Sequence, residues 1–128
     1  MDMLIEMIAK SRLDFLKDIE FEEITSGRFF QKDKIDLGNG LKQFYVILGP
    51  NVESPIHNHK GENMDEKHLL LYGSGKFIIY EANEKELELE KGVFHPIFST
   101  QTYSPDHKYI AGKEGSICLV LERHYQRE

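Results

Sequence analysis

The chain has 128 residues, with 16 Lys and Arg against 22 Asp and Glu, and a formal net charge of −6. That is the length of one domain able to bury a core without staples, and its acidity, with no cluster of Lys and Arg, argues against a nucleic-acid groove. The single cysteine, Cys118, rules out an intramolecular disulfide and fits a reducing compartment.

In chain order, Met3, Leu4, Met7 and Ile8 fall at helical spacing between charges. They predict a short amphipathic helix within residues 1–18, packed on the remaining 19–128 or on a second subunit. The acidic residues at this start are unlike a signal peptide, and no apolar run approaches the length of a membrane span. A cytoplasmic protein is therefore expected, without a membrane or nucleic-acid partner. Residues 19–25 read as an edge strand and 28–37 as strand-like. Gly38-Asn39-Gly40 is a hairpin signal leading into a strand over 41–48, and Gly49-Pro50 ends that strand.

A further strand is expected over 66–72, where period-two alternation sends Glu66, His68, Leu70 and Tyr72 to one face and Leu69 and Leu71 to the other. Gly73-Ser74-Gly75 reads as a turn into 76–80, and 81–86 as a polar turn before a strand over 87–90. Residues 93–103 are rich in β-branched and aromatic side chains, among them Phe94 and Tyr103. Two last strands, 107–110 and 116–122, are expected on either side of a turn at 112–115. In the second of them Cys118 reads as a small buried side chain. Many short strands separated by turns predict an all-β sandwich or barrel, whose inward side chains converge from distant parts of the sequence.

The stretch PIHNHKGENMDEKHLLLYGSG, residues 55–75, carries the chemistry. His57 and His59 are two apart, which on a strand points both imidazoles to one face. Glu66 opens the next apolar run, and a hairpin joining the two runs would bring its carboxylate beside them. Two histidines and one carboxylate form a face with coordination positions left for water or substrate. His68 and Tyr72, on the predicted face of Glu66, are the candidates for acid/base work. The competing reading makes these histidines incidental surface groups.

The order His57-x-His59, Glu66, Gly73 after six further residues, and later Pro105-Asp106-His107, resembles the two motifs of the cupin superfamily, over residues 41–122. The resemblance implies a cupin-like double-stranded β-helix, a jelly-roll barrel, with one divalent transition metal (Fe, Mn, Ni, Co or Zn) held by His57, His59, Glu66 and His107. Two departures leave alternatives. Six residues separate His59 from Glu66, a longer loop than the family's, so Glu62 is a rival carboxylate. The glycine of Lys91-Gly92 lies far from Pro105, so His95 is a rival to His107.

The implied function is a metal-dependent isomerase, lyase or dioxygenase acting on a small oxygenated, carbohydrate-type molecule. A metal-free nucleotide-sugar isomerase or epimerase is the first alternative, on HNHK and LVLERHY, although no arginine cluster accompanies the HxH pair. A non-catalytic cupin that binds or senses a small ligand is the second. Leu69, Leu71 and the helix stripe offer apolar surface for a C2 homodimer.

Overall fold

The computed structural model describes residues 2–99 and 104–125. Helix α1, Met3–Ser11, starts where the Asp2 side chain accepts a hydrogen bond from the Leu4 amide at 2.8 Å, capping one of the free N–H groups of the first turn. It ends at Arg12, which takes the left-handed conformation (φ 61°). The apolar periodicity of 1–18 therefore divides into α1 and a 3-10 turn over Asp14–Asp18.

Eight strands complete the chain: β1 Phe21–Thr25, β2 Arg28–Gln31, β3 Ile35–Gly38, β4 Leu41–Leu48, β5 Met64–Tyr80, β6 Glu84–Glu88, β7 Phe94–Ser99 and β8 Asp106–His124. They run in the order β1-β2-β4-β8-β5-β6, with β3 on β4 and β7 on β5, and every pairing is antiparallel. The β3–β4 hairpin turns at Asn39 (φ 55°) and Gly40 (φ 78°), the positive dihedrals that a tight hairpin requires.

Alternation on the central strands produces two cores. Inward, Leu48, Leu70, Phe77, Tyr109 and Cys118 are buried together. Outward, Phe29, Ile47 and Ile117 lie in register across β2, β4 and β8 and are covered by Met7 and Ile8 of α1 and by Leu16. Of the helix stripe, Met7 and Ile8 are thus buried on their own chain and Leu4 partly so, while Met3 stays exposed. Among the described residues no helix is long and apolar enough to cross a membrane.

Both long strands run through segments expected to turn. Gly73 pairs Ser116 and Gly75 pairs Ala111, so Ser74 alone faces residues 112–115, and the expected turns at 73–75 and 112–115 are absorbed as one wide bulge. A second bulge lies just upstream. Leu70 pairs Cys118 while Tyr72 pairs Ile117, which leaves Leu71 as the extra residue and reverses the facing of Tyr72. Gly73 is confined between these features. Its φ is +80°, and a Cβ there would collide with the carbonyl oxygen of Gly115.

Candidate metal centre

Residues 49–63 form no strand. The expected HxH strand is instead an irregular segment, turned at Asn51 (φ 60°), Gly61 (φ 84°) and Asn63 (φ 50°), and stapled to β8. The Ser54 amide donates to the Tyr109 carbonyl at 2.8 Å, and the His57 and His107 backbones exchange two hydrogen bonds of 2.9 Å. His59, two residues on, is fixed by its amide donating to Ser104 Oγ at 2.9 Å. HxH is thus paired with the start of β8 rather than with the strand of Glu66, and it meets His107 directly.

The three rings converge. Centroids lie 4.4 Å apart for His57 and His107, 5.1 Å for His57 and His59, and 5.4 Å for His59 and His107. One ring nitrogen from each can be chosen so that all three lie within 4.8 Å of one another. The hydrogen bonds show which nitrogen of each ring is free to ligate. His57 Nδ1 is 2.8 Å from the Pro55 carbonyl and His107 Nδ1 is 3.0 Å from the Pro105 carbonyl. A carbonyl oxygen only accepts, so both Nδ1 atoms donate. His59 Nδ1 is held at 2.6 Å by a carboxylate oxygen of Glu62. All three Nε2 lone pairs are left for a ligand, and His59 Nε2 is buried with no partner.

Metal-binding histidines are oriented in this way, through the ring nitrogen that does not ligate. The donor set fits a divalent transition metal held by three neutral imidazoles. Burial lowers the proton affinity of His107, only partly offset by the Pro105 carbonyl, which favours the neutral ring that a metal needs.

The two candidate carboxylates are placed differently. Glu62 stands behind His59. Glu66, buried on β5, accepts a hydrogen bond from His68 Nε2 at 2.5 Å. Burial works to raise the Glu66 proton affinity, but the hydrogen bond and charge of His68, with a contribution from His59, more than offset it and keep the carboxyl ionised. Neither carboxylate belongs to the cluster of three histidines among the described residues, yet both line the same cavity of about 300 Å³, with His68 and the apolar walls of Phe44, Met64 and Phe77.

Tyr72 is not there. The bulge at Leu71 turns it to the outer core beside Ile117, so it does not share the face of Glu66 and His68. His95 also lies apart, its Nε2 accepting from the Glu90 amide at 2.9 Å. Phe94 is exposed, and Tyr103 lies outside the described residues.

Two features escaped the sequence reading. The motif Pro-x-His occurs twice, at Pro55-Ile56-His57 and Pro105-Asp106-His107, and each proline carbonyl orients its histidine. Arg28, which in sequence is merely a lone arginine, lies in the cavity wall.

No protein-family model matches the chain, and no curated protein sequence does. Solved structures do. KdgF from Halomonas sp. superposes over 88% of this chain and 91% of its own, with a TM-score of 0.63 and 14% identity. An RmlC-like cupin from Shewanella frigidimarina covers 88% of both chains, with a TM-score of 0.60 and 18% identity.

The chain has the cupin fold. It also superposes on Bacillus subtilis oxalate decarboxylase, a protein with Mn(II) centres, over 88% of this chain with a TM-score of 0.66 and 18% identity. This chain spans 29% of that enzyme's chain. In the cupin barrel described here the three imidazoles could hold a metal with positions left for an exogenous oxygen ligand.

Proposed function

We propose that this cupin is a metal-dependent enzyme acting on a small oxygenated molecule, with one divalent transition metal (Fe, Mn, Ni, Co or Zn) held by His57, His59 and His107. The observation that carries the reading is the set of three Nε2 atoms freed by hydrogen bonds at every Nδ1. A bound metal would supply Lewis acidity toward a substrate oxygen.

The remaining roles belong to the chain. Glu62 orients His59, and Glu66 is the carboxylate offered to the metal from β5. His68 holds a proton at Nε2, shared with Glu66 Oε1, and is the acid/base candidate in the cavity. Phe44, Met64 and Phe77 exclude water from one wall. A small-molecule enzyme is favoured over a structural metal site because three imidazoles, even with Glu66 as a fourth ligand, leave positions open on a six-coordinate metal, and because the metal end faces a cavity.

The test is turnover. Metal-loaded protein is screened against sugars, sugar acids and hydroxy acids, with chelated protein and His68→Gln as controls. Activity lost on chelation, and kcat lowered in His68→Gln at unchanged metal content, are expected. A metal that raises thermal stability without turnover of any candidate would favour the second reading, a non-catalytic cupin that binds or senses a small ligand.

A further inference from the structure

Arg28 is a buried cation without a counter-charge. It is 8% exposed, its Nη1 donates to Thr25 Oγ1 at 3.2 Å, and its Nε is buried with no partner. Among the described residues it forms no ion pair, and its only other contact of note is with the Phe30 ring, 5.4 Å from guanidinium carbon to centroid. The other cation in the cavity wall is already satisfied: Lys34 pairs Glu122 at 3.1 Å and sits 4.4 Å from the Phe44 centroid.

Removing a guanidinium from water without an opposite charge is costly. Nothing in the outer core requires Arg28, because β2 turns Phe29 outward and Arg28 and Phe30 into the cavity. A planar fork with a free Nε–H matches a carboxylate, which it can bind through two parallel hydrogen bonds. A neutral polyol would leave the charge uncompensated. A phosphate dianion would meet the carboxylates of Glu62, Glu66 and Glu122 in the same cavity, whereas a single negative charge matches the one guanidinium that, among the described side chains of the cavity wall, has no counter-charge.

We propose that the ligand of this cavity is a small hydroxy- or oxo-carboxylic acid whose carboxylate is bound by Arg28 while another oxygen faces the three histidines; this rests on the metal-centre reading of the same cavity. Arg28 is then the residue that selects acids over neutral sugars. The selection is between isosteres, so it shows as a difference in affinity rather than in shape.

The experiment compares D-gluconate with sorbitol, which differ only in carrying a carboxylate or a hydroxymethyl group at C1. Both are titrated calorimetrically into metal-loaded protein, chelated protein, Arg28→Gln and Arg28→Lys, and each protein is checked for metal content and melting temperature. The charge-assisted contact predicts gluconate at least about tenfold tighter than sorbitol. Arg28→Gln erases that preference at unchanged metal content, and Arg28→Lys retains part of it. Equal binding of the two probes, no gluconate binding at millimolar concentration, or a preference that survives in Arg28→Gln overturns the proposal. The two readings fail separately. Without a metal site, no metal is bound but the Arg28-dependent preference persists in chelated protein. Without the carboxylate subsite, metal is bound and the preference is absent. If Arg28→Gln does not fold, Arg28→Lys and the wild-type comparison still decide.

Discussion

His107 is where two distant parts of the chain meet, and its environment makes it the more telling of the two late histidines. Its backbone is paired with His57 and its Nδ1 with the Pro105 carbonyl, while His95 is tied to the Glu90 amide away from the cluster. Replacing His107 with Ala is expected to lower metal affinity by more than about 10–100-fold, the range found for the loss of a mere supporting partner; His95→Ala leaves it unchanged. Equilibrium dialysis ranks the two, and the opposite ranking would move the third ligand to β7. By the same measurement Glu66→Gln should weaken binding more than Glu62→Gln. The reverse would make the loop, rather than β5, the source of the carboxylate.

Cys118 gives a pH prediction at the same scale. Burial raises its thiol to about 12, against about 8.5 for an exposed thiol. Above the latter value the unfolded chain ionises and the folded one does not, so stability falls as pH rises from about 8.5 toward 12. Chemical denaturation across that range should show the loss, and Cys118→Ala should reduce its slope. At pH 8 a thiol reagent should label the protein only at the rate of unfolding.

At the scale of elements, β5 and β8 show what could be read from the sequence and what could not. The strand over 41–48 and the Gly38-Asn39-Gly40 hairpin were legible because their signals are local: an apolar run of one period, and residues that accept positive φ. His57, His59 and His107 could be brought together on paper because motif spacing survives even when the segment that carries it is irregular. Gly73-Ser74-Gly75 was not legible. Glycines mark a turn and a bulge alike, and only the partner strand decides; here the four residues 112–115 of β8 stand opposite Ser74 alone. Tyr72 lies on the face opposite the one its alternation predicts for the same reason, since one unpaired residue at Leu71 inverts a period-two pattern.

The bulge and the outer core can each be tested by one substitution. Gly73→Ala combines a disfavoured φ of +80° with the clash at Gly115, and should destabilise by at least about 1–2 kcal/mol, read as a shift in the denaturation midpoint. Ile117→Ala, at the fully buried contact of the outer core with Leu16 and Met7, should cost about 2–5 kcal/mol. It should leave metal content intact, because that core lies across the sheet from the histidines.

For the whole molecule, covering the outer face of β2, β4 and β8 by α1 buries Met7 and Ile8 and so removes most of the helix stripe from the case for a second subunit. What remains is an apolar row in register across β7, β5 and β8, formed by Phe94, Leu69 and Leu119. Phe94 is 42% exposed and the two leucines are half-buried. A C2 homodimer through this row is the proposed assembly. Light scattering should then give twice the chain mass of 14.9 kDa, and Leu69→Lys should return it to that of a monomer.

The site depends on an arrangement that spans the entire barrel: a loop after β4, the first residues of β8, the first residues of β5 and the start of β2. Elemental analysis of protein purified without chelator or a histidine tag, beside the His57→Ala/His59→Ala double variant, tests that arrangement most directly. About one transition-metal ion per chain, lost in a variant that retains its β-rich circular dichroism, is the predicted result. Absence of metal from both, with no rise in melting temperature on adding Mn, Fe, Ni, Co or Zn, would contradict the account.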